Sequence, residues 1–304
     1  VFAGPDTTAG ANPDYEIFMQ VRVPRVCLAV IVGAALACAG VVLQGMLRNP
    51  LADPYILGIS SGAGLGAMIA ILLGLGTTFL GVSSQSAFAF CGAMVTVWLV
   101  WFIGRFTGKA QMTALLLAGV VVNSFFSAVI MFLTSVARGE KIYSTIFWLM
   151  GSMMEAGPVV LWLAATLVTG GIVVLMWLSS QMNAISFGED EARALGVNTQ
   201  QVRFIAFAVS AFITAVAVSL SGLIGFVGLI IPHGIRLVFG PDHRQLLPMS
   251  CIAGAAFLLI ADTIARTVIS PAQLPVGVVT AIAGGPFFLF LLYRYTRKVG
   301  LFAK

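Results

Sequence analysis

Residues 26–47 read VCLAVIVGAALACAGVVLQGML, 22 positions without a charged side chain. A helix needs about 20 apolar residues to cross the ~30 Å hydrocarbon core of a bilayer. This run is long enough to do so. Further uncharged runs occur at 54–80, 86–103, 112–136, 158–180, 204–232, 246–261 and 267–293. Of the 304 residues, 60% are apolar and 9% charged, against about 25% charged in a soluble domain. Such a chain solvates its surface in lipid. The fold class expected is all-α, a polytopic transmembrane helical bundle.

Two runs exceed one crossing. The stretch 204–232 holds Gly222, Gly225, Gly228 and Pro232, so it is expected to break and turn inside the bundle. The stretch 267–293 starts with Pro271 and Pro275, so only its later part is expected to be helical. Between the first two spans, Arg48-Asn49-Pro50-Leu51-Ala52-Asp53-Pro54 reads as a tight polar turn, with Asp53 capping the helix that follows and Pro54 in its first turn. Gly58, Gly62, Gly66, Ala70 and Gly74 recur every fourth residue, a face that lets backbones approach closely. The Gly62-Ala63-Gly64-Leu65-Gly66 string mimics a nucleotide loop, but it lies inside an apolar helix.

Basic residues set the orientation. With the segment before Val26 outside, Arg48, Arg105, Lys109, Arg193, Arg203, Arg236, Arg244, Arg294, Arg297, Lys298 and Lys304 fall inside, eleven of the 16. Residues 1–25 are then periplasmic, and the C-terminus is cytoplasmic. The long hydrophilic inner loop is 179–203. It reads as two short helices, with Ser186 and Glu189 as a capping box, Gly196 as a stop, and Asn198 or Thr199 capping the next span. The net charge of +5 is spread over these loops and does not point to nucleic acid.

Catalytic chemistry finds no motif. The string Gly104-Arg105-Phe106-Thr107-Gly108-Lys109-Ala110 has the wrong spacing for a P-loop. There is no paired-histidine zinc motif and no Gly-x-Ser-x-Gly elbow. Cys27, Cys38, Cys91 and Cys251 lack metal-ligand spacing and read as small apolar fillers. No ionisable residue is expected in the middle of a span, which argues against a proton-coupled carrier. Energy for uphill transport would then enter from another chain. An ion-coupled secondary transporter or a channel remains the alternative.

Ordered motifs run along nearly the whole chain: Arg22-Val23-Pro24-Arg25, the Arg48–Pro54 turn, Leu57-Gly58-Ile59-Ser60-Ser61-Gly62, Leu115-Leu116-Leu117-Ala118-Gly119, Trp148-Leu149-Met150-Gly151-Ser152, Ala192-Arg193-Ala194-Leu195-Gly196-Val197, Gly225-Phe226-Val227-Gly228, Asp242-His243-Arg244, Ala261-Asp262 and Leu274-Pro275-Val276-Gly277. With these it resembles the FecCD-type permeases of binding-protein-dependent ABC importers, which carry ferric siderophores, haem and cobalamin across the bacterial inner membrane. The resemblance implies one permease domain over 1–304 and ten helices per subunit. About nine are placed here; the resemblance implies one more ahead of Arg22, which is expected to lie outside this sequence. It also implies a homodimer, two cytoplasmic ATPase subunits that bind ATP and Mg, and a periplasmic substrate-binding protein. The chain itself would hold no cofactor or metal.

The resemblance further implies residue roles. Arg22, Arg25 and Arg266 would dock carboxylates of the binding protein, although arginines here also suit lipid headgroups and Arg266 can pair with Asp262 one turn earlier. Ser186, Glu189, Glu191, Arg193, Leu195, Gly196 and Val197 would couple to the ATPases. Ser60, Ser61 and Thr113 would line or close the path, unless the hydroxyls bond back to their own helices. Gln44 and Asn123, polar within apolar runs, are expected to make hydrogen bonds between helices rather than to ligate substrate. His233, at an expected helix start, and His243 are expected to be structural rather than iron ligands.

Overall fold

The computed structural model describes residues 6–7, 10–76, 78–79, 81–104, 111–153, 156–269 and 271–300. These are helical apart from turns and two short antiparallel hairpins, β1 (Asp6–Thr7) with β2 (Gly10–Ala11), and β3 (Thr78–Phe79) with β4 (Val82–Ser83). The helices are α1 (Pro13–Glu16), α2 (Val23–Met46), α3 (Ile59–Leu73), α4 (Ser84–Gly104), α5 (Gln111–Val136), α6 (Gly139–Leu149), α7 (Pro158–Trp177), α8 (Ser179–Phe187), α9 (Glu189–Ala194), α10 (Thr199–Ser221), α11 (Val227–Phe239), α12 (His243–Thr267) and α13 (Val276–Gly300). Six helical stretches are long and apolar enough to cross a membrane, and three shorter apolar helices accompany them.

The entry to α2 differs from expectation. Residues 13–22, where no helix is expected from the sequence, are helical. A π-helical turn, Ile17–Arg22, joins α1 to α2, so one helical stretch runs over Pro13–Met46. Asn12 caps it through Tyr15 N–H. The mixed composition of 12–20 hid this, because the apolar run Ile17-Phe18-Met19 is only three residues long and lies between Glu16 and Gln20.

α2 forms the centre of the bundle. Most of its residues from Leu28 to Met46 are buried. A Cβ on Gly33 would overlap the carbonyl oxygen of Gly254 in α12, and a Cβ on Gly40 would overlap that of Gly228 in α11. Backbone therefore lies against backbone at both crossings. Hydrophobicity cannot drive such association in lipid; close packing and hydrogen bonds do. α3 and α4 form a second tight pair, in which Gly62 meets Gly92 and Thr96, and Gly66 meets Phe88. Of the fourfold series, Gly62 and Gly66 face this partner, Gly58 meets both Thr96 of α4 and Gly119 of α5, and nothing lies within 4 Å of a Cβ at Gly74. Trp101 joins α4 to α10, its ring 5.1 Å from those of Phe204 and Phe207.

The local signals in the first turn hold. Asp53 accepts from Tyr55 N–H at 3.0 Å and caps a one-turn 3-10 helix, Pro54–Leu57. Gly58, at φ +75°, then redirects the chain into α3. The expected break in 204–232 lies at 222–226. α10 ends at Ser221, and α11 starts after Phe226, which has φ +70°. Irregular backbone at membrane depth survives only where protein covers it. Here Gly222 lies on the carbonyl of Trp148, Ile224 is buried, and Gly151 and Gly277 press on the carbonyl of Leu223. The later part of 267–293 is helical, as expected, from Val276.

Three other expectations are corrected. Pro232 and His233 sit inside α11, whose start is set earlier by Phe226. Ser186 does not cap α9: its hydroxyl donates to Met182 O within α8, and Gly188 precedes α9 without a side-chain cap. Asn123 is half-buried on α5 and makes no side-chain hydrogen bond among the described residues, unlike Gln44. Gly196 (φ +81°) and the Asn198 cap of α10 stand where expected.

Gly33→Leu is expected to force α2 and α12 apart and cost about 1–3 kcal/mol, the range for overpacking. Thermal unfolding in detergent checks this. Gly170→Leu, where nothing lies within 4 Å of a Cβ, should leave the midpoint unchanged.

Candidate functional site

Polar side chains gather at the two ends of the α2–α12 pair. Asp242 and Asp262 bracket most of α12, and 20 residues at 1.5 Å each separate these ends by about 30 Å.

At one end α2 begins and α12 finishes. Asp262 is fully buried, placed by helix α12 opposite Arg25. The Arg25 Nε donates to both carboxylate oxygens at 3.0 and 3.3 Å, and its Nη2 lies 2.9 Å from Oδ1. Its Nη1 donates to Gln273 Oε1 at 2.9 Å. Arg266, one turn after Asp262, reaches Oδ2 through Nε at 3.0 Å. Arg22 is exposed and makes no ion pair among the described residues. The structure thus gathers Arg25 and Arg266 on one carboxylate, and the three-residue spacing puts Arg22 one turn beyond Arg25. Breaking a buried pair of this kind costs about 3–5 kcal/mol. Asp262 was expected at the edge of a span; α12 runs to Thr267 and encloses it.

At the other end α8 is tied to the bundle. Asn183 donates to Asp242 Oδ1 at 2.6 Å and accepts from the His243 backbone N–H at 2.9 Å. The His243 ring nitrogen Nδ1 lies 2.8 Å from the same amide oxygen. Arg244 donates to Ser180 Oγ, and Arg48 to Ile185 O. The Arg244 backbone N–H and, next, the Asn183 amide hold the Asp242 carboxyl below the usual carboxylate range. His243 also packs on Gly45 of α2. Nearby, Gln44 donates to the Gly228 and Leu229 carbonyls and accepts from Arg236, the interhelical role expected of it. The His243 ring lies between Asn183 of α8 and Gly45 of α2.

Beyond α8 the chain projects. Glu189 pairs with Arg193 at 2.8 Å and with Arg203 at 3.1 Å, tying α9 to the start of α10. Exposed pairs contribute at most about 1 kcal/mol, so this network sets direction more than stability. Ala192 is buried, whereas Leu195 is 75% exposed and Phe187 86%. Phe187 was missed in the sequence; an aromatic inside a polar loop was the available signal. Glu191 folds over Gly188, and Gly196 and Val197 close the turn.

Ser60 and Ser61 are buried within the chain, and Ser61 Oγ donates back to Gly58 O at 2.9 Å. Thr113 stands near the start of α5, and its side chain lies outside the described residues, as do Arg105 and Lys109. α5 itself is largely exposed, with Phe125 and Phe132 facing outward.

Comparison with known proteins gives a consistent picture. Residues 4–294 match the FecCD transport family. The chain is 40% identical over 281 residues to the hemin transport system permease HmuU of Yersinia pestis, covering 92% of this chain and 84% of that one. It is 44% identical over 272 residues to the cobalamin import system permease BtuC of Halobacterium salinarum, covering 90% and 72%. Among solved structures, an inward-facing metal-chelate type ABC transporter superposes with a TM-score of 0.84 at 36% identity, covering 93% of this chain and 89% of that one.

Asn183→Ala removes the bonds of Asn183 to Asp242 and His243 and leaves the Arg244–Ser180 bond as a remaining tie between α8 and α12. A net loss of about 1 kcal/mol corresponds to roughly fivefold more frequent opening. Amide exchange across 179–187 is expected to quicken by at least about that factor, with exchange in the middle of α10 unchanged.

Proposed function

The chain belongs to the FecCD transport family of ABC transporter permeases, and from that premise we propose that it is the membrane route of an ATP-driven importer for a metal chelate. A ferric siderophore is the first-choice cargo, with a corrinoid or haem next. The single observation that carries the reading is the exposed apolar pair Phe187 and Leu195 on a segment whose other side is fastened to the bundle. An apolar ridge between charges suits a groove on another protein. Fastening lets a push on that ridge reach α2 and α12.

In this reading two cytoplasmic ATPase subunits bind ATP and Mg and grip residues 179–203. Ser186, Glu189, Glu191, Arg193, Leu195, Gly196 and Val197 form or shape the contact. A periplasmic binding protein docks on the cluster of Arg22, Arg25 and Arg266, whose charge exceeds that of Asp262 and attracts carboxylates. A second copy of the chain completes the path. The exposed apolar side of α5 supports a role facing that copy or lipid, and Ser60, Ser61 and Thr113 are the gate candidates. Residues 1–304 act as one permease domain in the bacterial inner membrane, with 1–25 periplasmic and the C-terminus cytoplasmic. The chain conducts and does not hydrolyse ATP.

Leu195→Asp and Phe187→Asp test the reading. Each is expected to cut co-purification of the ATPase at least about tenfold while the chain still elutes as a folded species. Each should also abolish uptake in cells. Undiminished co-purification and uptake in both variants would overturn it.

A further inference from the structure

Resting on the docking just proposed, we infer that the three outer arginines divide their labour. Asp262 is the positioning residue, Arg25 is a strap inside the chain, and only Arg22 and Arg266 offer free guanidinium to a carboxylate partner. A guanidinium has five N–H donors on three nitrogens. All three nitrogens of Arg25 are engaged, two by Asp262 and one by Gln273. Arg266 spends only Nε, on Asp262 Oδ2 and more weakly on the Asp262 carbonyl at 3.4 Å. Its Nη1 and Nη2 have no partner among the described residues, and that outer pair is the fork that binds a carboxylate in two places. Arg22 is exposed and unengaged among the described residues.

The arrangement is also electrostatically ordered. Three arginines around one carboxylate leave a net charge of +2. Asp262 cancels Arg25 most directly, so the surplus lies on Arg22 and Arg266. Because Asp262 lies one helical turn before Arg266 and is immobilised by Arg25 and by its own burial, the Arg266 fork is aimed before a partner arrives. Less side-chain entropy is then lost on docking. The same contact ties the start of α2 to the end of α12, so a partner seated on Arg266 pulls on both helices.

Phenylglyoxal, which condenses with the Nη atoms of accessible arginines, tests this on the purified full chain in detergent, with mass spectrometry reading each site. Arg22 and Arg266 are expected to be modified at least tenfold faster than Arg25. Asp262→Asn should bring Arg25 up to the rate of Arg22, and Asp262→Glu should restore its protection. Modification of wild-type Arg25 as fast as Arg22, or no change in Arg25 between Asp262→Asn and wild type, would overturn the inference; the wild-type arm stands even if Asp262→Asn fails to fold. The docking reading is tested separately by Arg22→Glu and Arg266→Glu. If uptake survives both while the labelling pattern holds, docking fails and the division among the arginines stands.

Discussion

Everything in this bundle depends on how closely α2 can approach its neighbours. In water, burying a leucine is favourable almost anywhere. In lipid, the surroundings are as apolar as the core, and helices associate only where surfaces fit or hydrogen bonds form. Gly33 against Gly254 and Gly40 against Gly228 bring backbone to backbone, which gathers dispersion contacts along both crossings. Around that column, α10 and α7 pack on α2, while α3 and α4 form their own close pair and meet the column through α10.

The column has chemistry at both ends. The buried Asp262 with Arg25 closes one end, and Asn183 with Asp242 and His243 closes the other. Between them α12 is one helix, pressed against α2 at Gly254 and again where His243 meets Gly45. A displacement of α8 therefore reaches the first turn of α12 through side-chain bonds only a few ångströms long. The break at 222–226 adds the complementary feature. It frees α11 from α10, while the Gln44 and Arg236 bonds hold α11 to α2. The break itself is packed, with Gly222 against the Trp148 carbonyl and Gly151 and Gly277 against that of Leu223.

Much of this was legible in the sequence because membrane helices announce themselves by length and lack of charge. The Asp53 cap, the close packing at Gly62 and Gly66, a break inside 204–232 and a cap at Asn198, one of the two candidates for it, all rest on local chemistry and are found. What was hidden was either non-local or ambiguous in composition. Arg25 and Asp262 are 237 residues apart, so no local pattern links them. Asn183 is one polar residue among many in a polar loop. Residues 13–22 mix apolar and polar types, and only their docking at the head of α2 settles them as helix. Ser186 and Glu189 had the spacing of a capping box, yet Ser186 is taken up by the last turn of α8.

The central claim is that the bundle provides a route and no power. It is measured most directly by uptake of radiolabelled ferric siderophore, haem and cobalamin into liposomes that hold the chain, with the cognate binding protein on the outer side, and with and without the ATPase and ATP on the cytoplasmic side. The account predicts accumulation of at least one chelate only when the ATPase and ATP are present, and none from the chain alone under imposed proton or sodium gradients. Accumulation by the chain alone, driven by such a gradient, would contradict it.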